Sequence, residues 1–322
     1  MPRRDALLVS DTDYLPVLLR LLDHARLSVD ILAYSFAIGS AAGKLNEGSA
    51  PFQIAQKLVD LKREKPKVRV RLYIEGERET ADRNAVTVRL LEEHGVEVVC
   101  GATHAKGFCL DDRYVLLGST NLTQQSVMKN NETNLLFDDE EVAEGFEAYF
   151  AHLWGGGRHG GIELAPPLYA DGAFQPMLLD LIDGAKKSVH FSIYFFDQKD
   201  TEKALIRAHE RGVKVTGFLH NHTAFAMPYV RRTRRTAKRL LEAGITDLHY
   251  GPTHLFSHSK WLVQDRKIIA LGTGNWLDED IEIHPQLYVE WKSPALAKDL
   301  LGWLTVKIKR TGTPLSAWRG PA

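Results

Sequence analysis

Residues 104–121, which read HAKGFCLDDRYVLLGSTN, align without a gap to residues 258–275, which read HSKWLVQDRKIIALGTGN. Five identities recur between the two stretches at one constant spacing of 154 residues. The recurring pairs are His104 and His258, Lys106 and Lys260, Asp111 and Asp265, Gly118 and Gly272, and Asn121 and Asn275. Packing constraints preserve size and hydrophobicity, whereas these identities are polar or glycine. They therefore mark positions with a chemical or conformational role.

The repeat extends beyond these stretches. Residues 16–25, PVLLRLLDHA, are echoed by residues 176–185, PMLLDLIDGA, and LLEEHGVEV at 90–98 is echoed by LLEAGITDL at 240–248. Between the copies lies WGGGRHGG at 154–161, whose five glycines are typical of a linker. The sequence predicts two domains, residues 1–155 and residues 156–322.

Each copy alternates between helical and strand patterns. In the first, PVLLRLLDHA has apolar residues at helical spacing, and SVDILAYSF is a β-branched and aromatic run typical of a strand. The quoted motif then reads as a hairpin that turns at Asp111-Asp112-Arg113, and EEVAEGFEAYFAHLW reads as a closing helix. This alternation predicts an α/β fold. We expect two tandem repeats that pack sheet to sheet with pseudo-twofold symmetry.

Composition is typical of a globular protein, with 44% hydrophobic and 25% charged residues and a formal net charge of zero. No apolar run approaches the about 20 residues that cross a bilayer, and the apolar part of the N-terminus is too short for a secretory signal. We expect a cytoplasmic protein without stable membrane insertion. Charge is uneven, because residues 184–275 hold 16 Lys and Arg against 7 Asp and Glu. Most of the excess comes from RRTRRTAKR at 231–239.

A hairpin gives the paired motifs a chemical meaning. Residues two apart on a strand point to one face, so His104 and Lys106 should project together, with Asn121 beside them at the end of the return strand. Two such half-sites that face each other would form one site on a single chain, for which a monomer suffices. One neutral imidazole can attack phosphorus while the other, protonated, donates to the leaving oxygen. Lysines and asparagines can stabilise the phosphoryl oxygens, so neither a metal nor a cofactor is expected.

The pattern HxK-x4-D-x6-G-[ST]-x-N, present twice, resembles the signature of the phospholipase D superfamily, and the resemblance covers about residues 10–310. It implies two α/β repeats with one active site at their junction. It also implies that His104 is the nucleophile, that His258 is the general acid, and that an acidic residue about eleven positions after the motif asparagine orients a histidine. In the first copy that residue is Glu132, whereas the second copy has Gln286.

Several residues have more than one interpretation. Ser119 and Thr273, in the Gly-Ser-Thr-Asn and Gly-Thr-Gly-Asn turns, and Gln286 are predicted to bind substrate. Asp111 and Asp265 suit hairpin turns better than the site. His220 and His222 have the spacing of a metal pair, but a loop that faces substrate is the favoured interpretation.

The basic run also has two interpretations. It is either a solvated helix face or an edge that binds a polyanion such as nucleic acid. The second is favoured because no acidic residue follows until Glu242. The residues predicted to contact the polyanion are Arg231, Arg232, Arg234 and Arg235.

Three functions remain open from the sequence. The first is a metal-independent nuclease on DNA or RNA, closest in character to the soluble nuclease and phosphodiesterase members, with aromatic residues such as Tyr194, Phe256 and Trp261 available for base stacking. The alternative is a phospholipase D or a phosphatidyl transferase similar to cardiolipin synthase, for which the basic run would suit anionic headgroups. The third is a non-catalytic nucleic-acid-binding module.

Overall fold

The computed structural model describes residues 6–40, 42–222 and 227–318. The outer ends of the two predicted domains, residues 1–5 and 319–322, lie outside the described residues. The first half begins with a short strand and closes with a long helix. Its elements are β1 (Leu7–Ser10), α1 (Tyr14–His24), β2 (Ser28–Ala33), α2 (Ala50–Glu64), β3 (Arg69–Glu75), α3 (Ala81–Glu93), β4 (Glu97–Gly101), β5 (Gly107–Leu110), β6 (Tyr114–Gly118), α4 (Gln124–Met128), β7 (Thr133–Asp138) and α5 (Glu140–Trp154).

The second half repeats this order element by element and adds one short strand at its end. Its elements are β8 (Leu168–Ala170), α6 (Phe174–Gly184), β9 (Ser188–Ile193), α7 (Lys199–Glu210), β10 (Lys214–Leu219), α8 (Met227–Glu242), β11 (Asp247–Tyr250), β12 (Trp261–Gln264), β13 (Ile268–Gly272), α9 (Asp278–Glu282), β14 (Leu287–Lys292), α10 (Pro294–Thr311) and β15 (Thr313–Pro314).

Each half forms its own mixed sheet. The first sheet has the order β1-β7-β6-β5-β2-β3-β4, and the second has the order β15-β11-β10-β9-β12-β13-β14-β8. In both, three parallel strands (β2, β3, β4 and β9, β10, β11) adjoin the antiparallel strands that carry the motif hairpin. The strands β1 and β8, of four and three residues, were not expected from the sequence because they are too short to show an alternating pattern. The short C-terminal strand β15 pairs with β11.

The halves meet in one hydrophobic core. It contains equivalent residues of both repeats, such as Leu117 of β6 and Leu271 of β13, together with Phe146 of α5 and Leu300 of α10. Separate outer cores lie under the helices that cover the other face of each sheet. The predicted fold class, two α/β repeats packed together, is therefore confirmed, with α5 and α10 filling the junction.

The closing helix of each half also ties down the other half. Trp303 of α10 donates its indole N–H to Asp11 at 3.2 Å, and Tyr149 of α5 donates its hydroxyl to Asp171 at 2.6 Å. Both aspartates have φ of 52°. Asp11 accepts a hydrogen bond from the backbone of Glu132, and Asp171 accepts one from the backbone of residue 286. The halves thus position each other at Glu132 and Gln286, the residues immediately before β7 and β14.

The hairpin aspartates have a structural role, as the sequence predicted. The Asp111 carboxylate accepts hydrogen bonds of 2.7–3.1 Å from the backbone N–H groups of Arg26, Leu27 and Ser28. The Asp265 carboxylate does the same for Lys186, Lys187 and Ser188, at 2.7–3.3 Å. Each aspartate pins the loop before the central strand to the tip of the motif hairpin. None of the described helices is long and apolar enough to span a bilayer.

Candidate active site

The motif histidines lie in irregular segments immediately before β5 and β12, rather than on the strands that the sequence predicted. Each is fixed by the opposite half. The His104 backbone N–H donates to the carbonyl of Pro285 at 2.9 Å, and the His258 backbone N–H donates to the carbonyl of Asn131 at 2.9 Å. Both partners immediately precede the residues that contact the imidazole rings. The site is therefore a composite of the two repeats.

Glu132 of the first half holds the imidazole of His258 in the second half. The carboxylate lies 2.9 Å from His258 Nδ1 and is fully buried. It also accepts hydrogen bonds from Ser119, Ser126 and Asn130. Burial alone would raise the pKa of Glu132, but His258, Lys260 and the Ser119 hydroxyl together lower it. The sequence-predicted acidic residue is thus an anion against a histidine ring of the other repeat.

Gln286 of the second half takes the same place beside His104 of the first half. Its side-chain nitrogen lies 2.9 Å and its oxygen 3.2 Å from His104 Nδ1. An amide holds the ring but places no charge on it. The two histidines are therefore supported by chemically different partners.

Both lysines are buried, and both donate to the backbone of the histidine two residues earlier. Lys106 Nζ donates to the carbonyl of His104, and Lys260 Nζ donates to that of His258. Each ammonium lies over a tyrosine ring, 5.1 Å from Tyr34 in the first half and 5.0 Å from Tyr194 in the second.

These tyrosines also pack against the histidines. The rings of Tyr34 and His104 are 4.5 Å apart, as are those of Tyr194 and His258, in edge-to-face geometry. Their paired positions, 34 and 194, belong to the repeat. Tyr194 was considered for base stacking, whereas the sequence alone did not indicate that Tyr34 lines the site.

Burial and mutual repulsion set the protonation of these groups. Burial, followed by the positive charges of Lys106, Arg78 and Lys260, lowers the pKa of His104 well below its usual range. Burial also lowers the pKa of His258 to about 4, although Glu132 partly offsets the effect. Burial lowers the pKa of Lys260 to about 7. A buried cluster of this kind is short of negative charge and is suited to bind an anion.

The two motif asparagines lie beside this cluster. Their backbone N–H groups are bound, that of Asn121 to Ser126 Oγ and that of Asn275 to Asp280 Oδ2. Their side-chain oxygens are buried and have no hydrogen-bond partner among the described residues. The protein thus fixes the backbone of both asparagines and leaves their side-chain oxygens unpartnered within the described part of the chain.

Ser119 and Thr273, predicted to bind substrate, are fully buried and serve the partners of the histidines instead. Ser119 donates to Glu132, and Thr273 donates to Gln286 at 2.8 Å. Gln286 itself contacts His104. These three residues support the imidazoles. Their contact with substrate stays a prediction.

The basic run forms part of α8 and is not the uncompensated charge that the sequence indicated. Arg232 pairs with Asp197 at 2.8 Å and with Glu279 at 2.6 Å, and Arg239 pairs with Glu202 at 2.7 Å. The interpretation was wrong for these two arginines because their acidic partners come from elsewhere in the second half, where the local sequence does not reveal them.

Arg234, also predicted to contact a polyanion, is buried and donates to Asn221 at 2.8 Å. Arg231 and Arg235 are exposed on the same helix, together with Lys238. Substrate contact by Arg231 and Arg235 stays a prediction. Exposed positive charge on α8 is thus confined to one face, formed by residues spaced four and three apart.

The His220 side chain lies beside Tyr194 but is held as part of the core of the second half. It is fully buried, its Nδ1 accepts from the backbone of Ser257 at 3.3 Å, and its ring lies 6.2 Å from that of His222 in a stack. Among the described residues, the group that has metal-ligand spacing excludes both histidines. Trp261, considered for base stacking, is also fully buried.

Comparison with known proteins identifies the fold and the family. A family model described as "Cardiolipin synthase, PLD-like domain" matches residues 18–154 and 178–305. The structure of phosphatidylserine synthase from Haemophilus influenzae Rd KW20 superposes with a TM-score of 0.73, at 14% identity, over 98% of this chain and 89% of that one. Polyphosphate kinase from Porphyromonas gingivalis superposes with a TM-score of 0.66, at 14% identity, over 97% of this chain and 48% of that one. No curated protein sequence matches significantly.

These matches do not favour the nuclease members of the superfamily, which were expected from the sequence. The likeness to the two solved structures extends through both repeats and shows the fold, while the family model covers both copies of the motif. The chain belongs to the phospholipase D superfamily and is an enzyme that acts on phosphodiester bonds, with both halves of its site on one polypeptide.

Proposed function

We propose that this protein is a metal-independent phospholipid phosphodiesterase that transfers a phosphatidyl group through a phosphohistidine, either to water or to an alcohol. The observation that carries the proposal is the pair of buried imidazoles, each oriented through Nδ1 by the opposite repeat. That arrangement leaves Nε2 of each ring available for chemistry on one phosphorus atom.

In the first step, Nε2 of His104 attacks phosphorus and the bond from phosphorus to the leaving oxygen breaks. His258, as an imidazolium, gives its Nε2 proton to that oxygen. In the second step, His258 takes a proton from water or an alcohol, whose oxygen attacks phosphorus and displaces His104. His104 suits the nucleophile because its pKa is lowered well below its usual range by burial, which leaves the ring neutral.

His258 suits the proton carrier because a carboxylate faces its Nδ1. In the free protein its pKa is about 4, set by burial against the attraction of Glu132. A bound phosphodiester adds negative charge and raises this pKa, so the ring takes up a proton when substrate binds. The buried ammonium groups of Lys106 and Lys260, with the amides of Asn121 and Asn275, would stabilise the phosphoryl oxygens in the transition state.

A phospholipid substrate is supported by the description of the matching family model, which names cardiolipin synthase. A phospholipid substrate is also consistent with the charges of α8. Ion pairs within the protein neutralise Arg232 and Arg239, so the helix gives less reason to expect a nucleic-acid substrate than its sequence did. A nuclease is the second candidate, favoured by the exposed face of Arg231, Arg235 and Lys238 on α8.

The test offers purified protein three substrates in EDTA: mixed phospholipid vesicles, single-stranded oligonucleotides and plasmid DNA. We expect release of lipid headgroups and, with added ethanol or glycerol, a new phosphatidyl alcohol, which only transfer to an alcohol produces. His104→Ala should abolish both reactions, while His254→Ala, an exposed histidine without a lysine two residues later, should not. Cleavage of nucleic acid alone would replace the lipid proposal with the nuclease. No turnover of any phosphodiester would refute both.

A further inference from the structure

The supports of the two histidines can be compared position by position, because the repeat aligns them at the same spacing of 154 residues. Each support consists of four buried or half-buried side chains joined by hydrogen bonds. In the first half these are Ser119, Ser126, Asn130 and Glu132, and in the second half they are Thr273, Asp280, His284 and Gln286. Each network contains one carboxylate, but at a different position.

In the second network the carboxylate has moved one side chain away from the imidazole. Asp280 is almost fully buried, accepts a hydrogen bond from Gln286 Nε2 at 3.0 Å, and lies 2.8 Å from His284 Nδ1. Its Oδ1 is 3.9 Å from His104 Nδ1. The amide of Gln286 thus stands between a carboxylate and the imidazole.

Asp280 determines which way this amide points. An ionised carboxylate only accepts hydrogen bonds, so the group that faces Asp280 is the side-chain nitrogen of Gln286. The hydroxyl of Thr273 accepts from the backbone of Leu287, which leaves its hydrogen to donate to Gln286 Oε1. The amide orientation therefore follows from its neighbours on both sides. Attack through Nε2 requires the proton of the neutral His104 ring on Nδ1, where Gln286 Oε1 accepts it at 3.2 Å and so positions the ring.

A carboxylate that is separated from the imidazole by an amide acts differently from one in direct contact with the ring. In the resting site, the neutral amide does not favour an imidazolium, so His104 keeps a free electron pair. When Nε2 attacks phosphorus, the ring becomes positively charged, and a negative charge 3.9 Å from Nδ1 stabilises it in a buried environment. The arrangement therefore stabilises the positive charge that develops on His104 during the attack, and it does not favour a positive charge on the resting ring.

Asp280 also has a purely structural contact, which separates its two roles. Its Oδ2 accepts from the backbone N–H of Asn275 at 2.7 Å. In the first half the equivalent N–H of Asn121 is bound at 3.0 Å by the hydroxyl of Ser126. Since an uncharged serine serves that loop equally well, the loop does not explain the charge of Asp280.

We propose that Asp280 is the positioning residue of His104, which orients the ring through Gln286 and supplies the negative charge that compensates the imidazolium formed on attack. This inference rests on the proposed phosphohistidine mechanism. It adds a residue to the site that the repeated motif does not contain.

The experiment converts the second network into the first. Asp280→Ser removes the charge but retains a hydroxyl for the Asn275 backbone, and we expect kcat for bis(p-nitrophenyl) phosphate to fall about 10–100-fold with KM nearly unchanged. Gln286→Glu combined with Asp280→Ser restores one carboxylate, now in contact with His104, and should recover part of the lost kcat because a negative charge again compensates the imidazolium. Asp278→Asn, at an exposed position on α9, is the matched control and should leave kcat unchanged. Wild-type kcat in Asp280→Ser, or a double variant no faster than the single one, would overturn the proposal.

A second readout does not depend on turnover. In protein labelled with ¹⁵N-histidine, the His104 ring nitrogens report which nitrogen carries the proton, and Asp280→Ser should shift them while those of His258 stay in place. Unchanged His104 resonances would refute the positioning role. If the wild type turned over no phosphodiester at all, the proposed function would fail, while the resonances would still decide whether Asp280 orients the ring.

Discussion

The two halves of the site differ in one respect that bears on chemistry: His258 faces a carboxylate, whereas His104 faces an amide. Nearly everything else is matched. Each ring packs at 4.5 Å against a tyrosine, each is followed by a buried lysine, and each backbone is held by the opposite repeat. The difference therefore assigns roles that the repeated motif alone leaves equivalent. The contact carboxylate suits the proton carrier, and the amide suits the nucleophile.

The largest expected effect separates the two histidines by leaving group. With a phospholipid substrate, His104→Ala and His258→Ala should each lower kcat/KM by about 10³-fold or more. The leaving oxygen of a p-nitrophenyl ester needs no proton. With this substrate the His258→Ala variant should release p-nitrophenol at a rate much closer to that of the wild type, whereas the His104→Ala variant should not. The measurement is the pre-steady-state burst of p-nitrophenol. A burst of p-nitrophenol from His104→Ala but not from His258→Ala would reverse the assignment of nucleophile and proton carrier.

The next effect concerns the contact carboxylate. Glu132→Gln removes the charge that offsets the effect of burial on His258. The pKa of His258, about 4 in the wild type, should therefore fall in the variant. We expect kcat/KM for a phospholipid to fall about 100-fold, with a smaller loss for the p-nitrophenyl ester. Circular dichroism should confirm that the variant folds. Equal losses on both substrates would mean that Glu132 acts on something other than proton transfer.

A smaller effect is the uptake of protons when an oxyanion binds. The pKa values of His258, about 4, and Lys260, about 7, are lowered by burial, and a bound anion raises both. The complex then holds more protons than the free protein, so tungstate affinity should weaken as the pH rises from 6 to 9. Calorimetry in buffers of different ionisation enthalpy measures the uptake directly. His258→Ala should reduce it, and proton release in the wild type would contradict the lowering of these pKa values by burial.

The smallest expected effect concerns the hairpin aspartates, which have the same structural role in both halves. Asp111→Ala and Asp265→Ala each leave three backbone N–H groups without their carboxylate, so each should lower the free energy of unfolding by about 1–3 kcal/mol. Asp299→Ala, at an exposed position of α10, is the control. Folded protein of either hairpin variant should retain kcat near the wild-type value. A selective loss of kcat in one of them would place that aspartate in the chemistry.

The sequence predicted the α/β repeats, the hairpins and the identity of the motif residues because these leave local patterns or exact identities. Glu132 could be found because its spacing from Asn121 is part of the family resemblance. Asp280 could not, because its equivalent in the first half is Ser126 and only the three-dimensional network shows that the carboxylate has changed position. The ion pairs of Arg232 were hidden for the same reason, since their partners are 35 and 47 residues away in the chain.

The most direct test of a composite site with distinct histidines is to trap the covalent intermediate. His258→Ala, mixed with a p-nitrophenyl phosphodiester and quenched in alkali, should carry the phosphoryl group on the peptide that contains His104, as detected by mass spectrometry. The adduct should be absent from the His104→Ala/His258→Ala double variant. Release of p-nitrophenol without an adduct on His104, or an adduct on any other residue, would contradict the account.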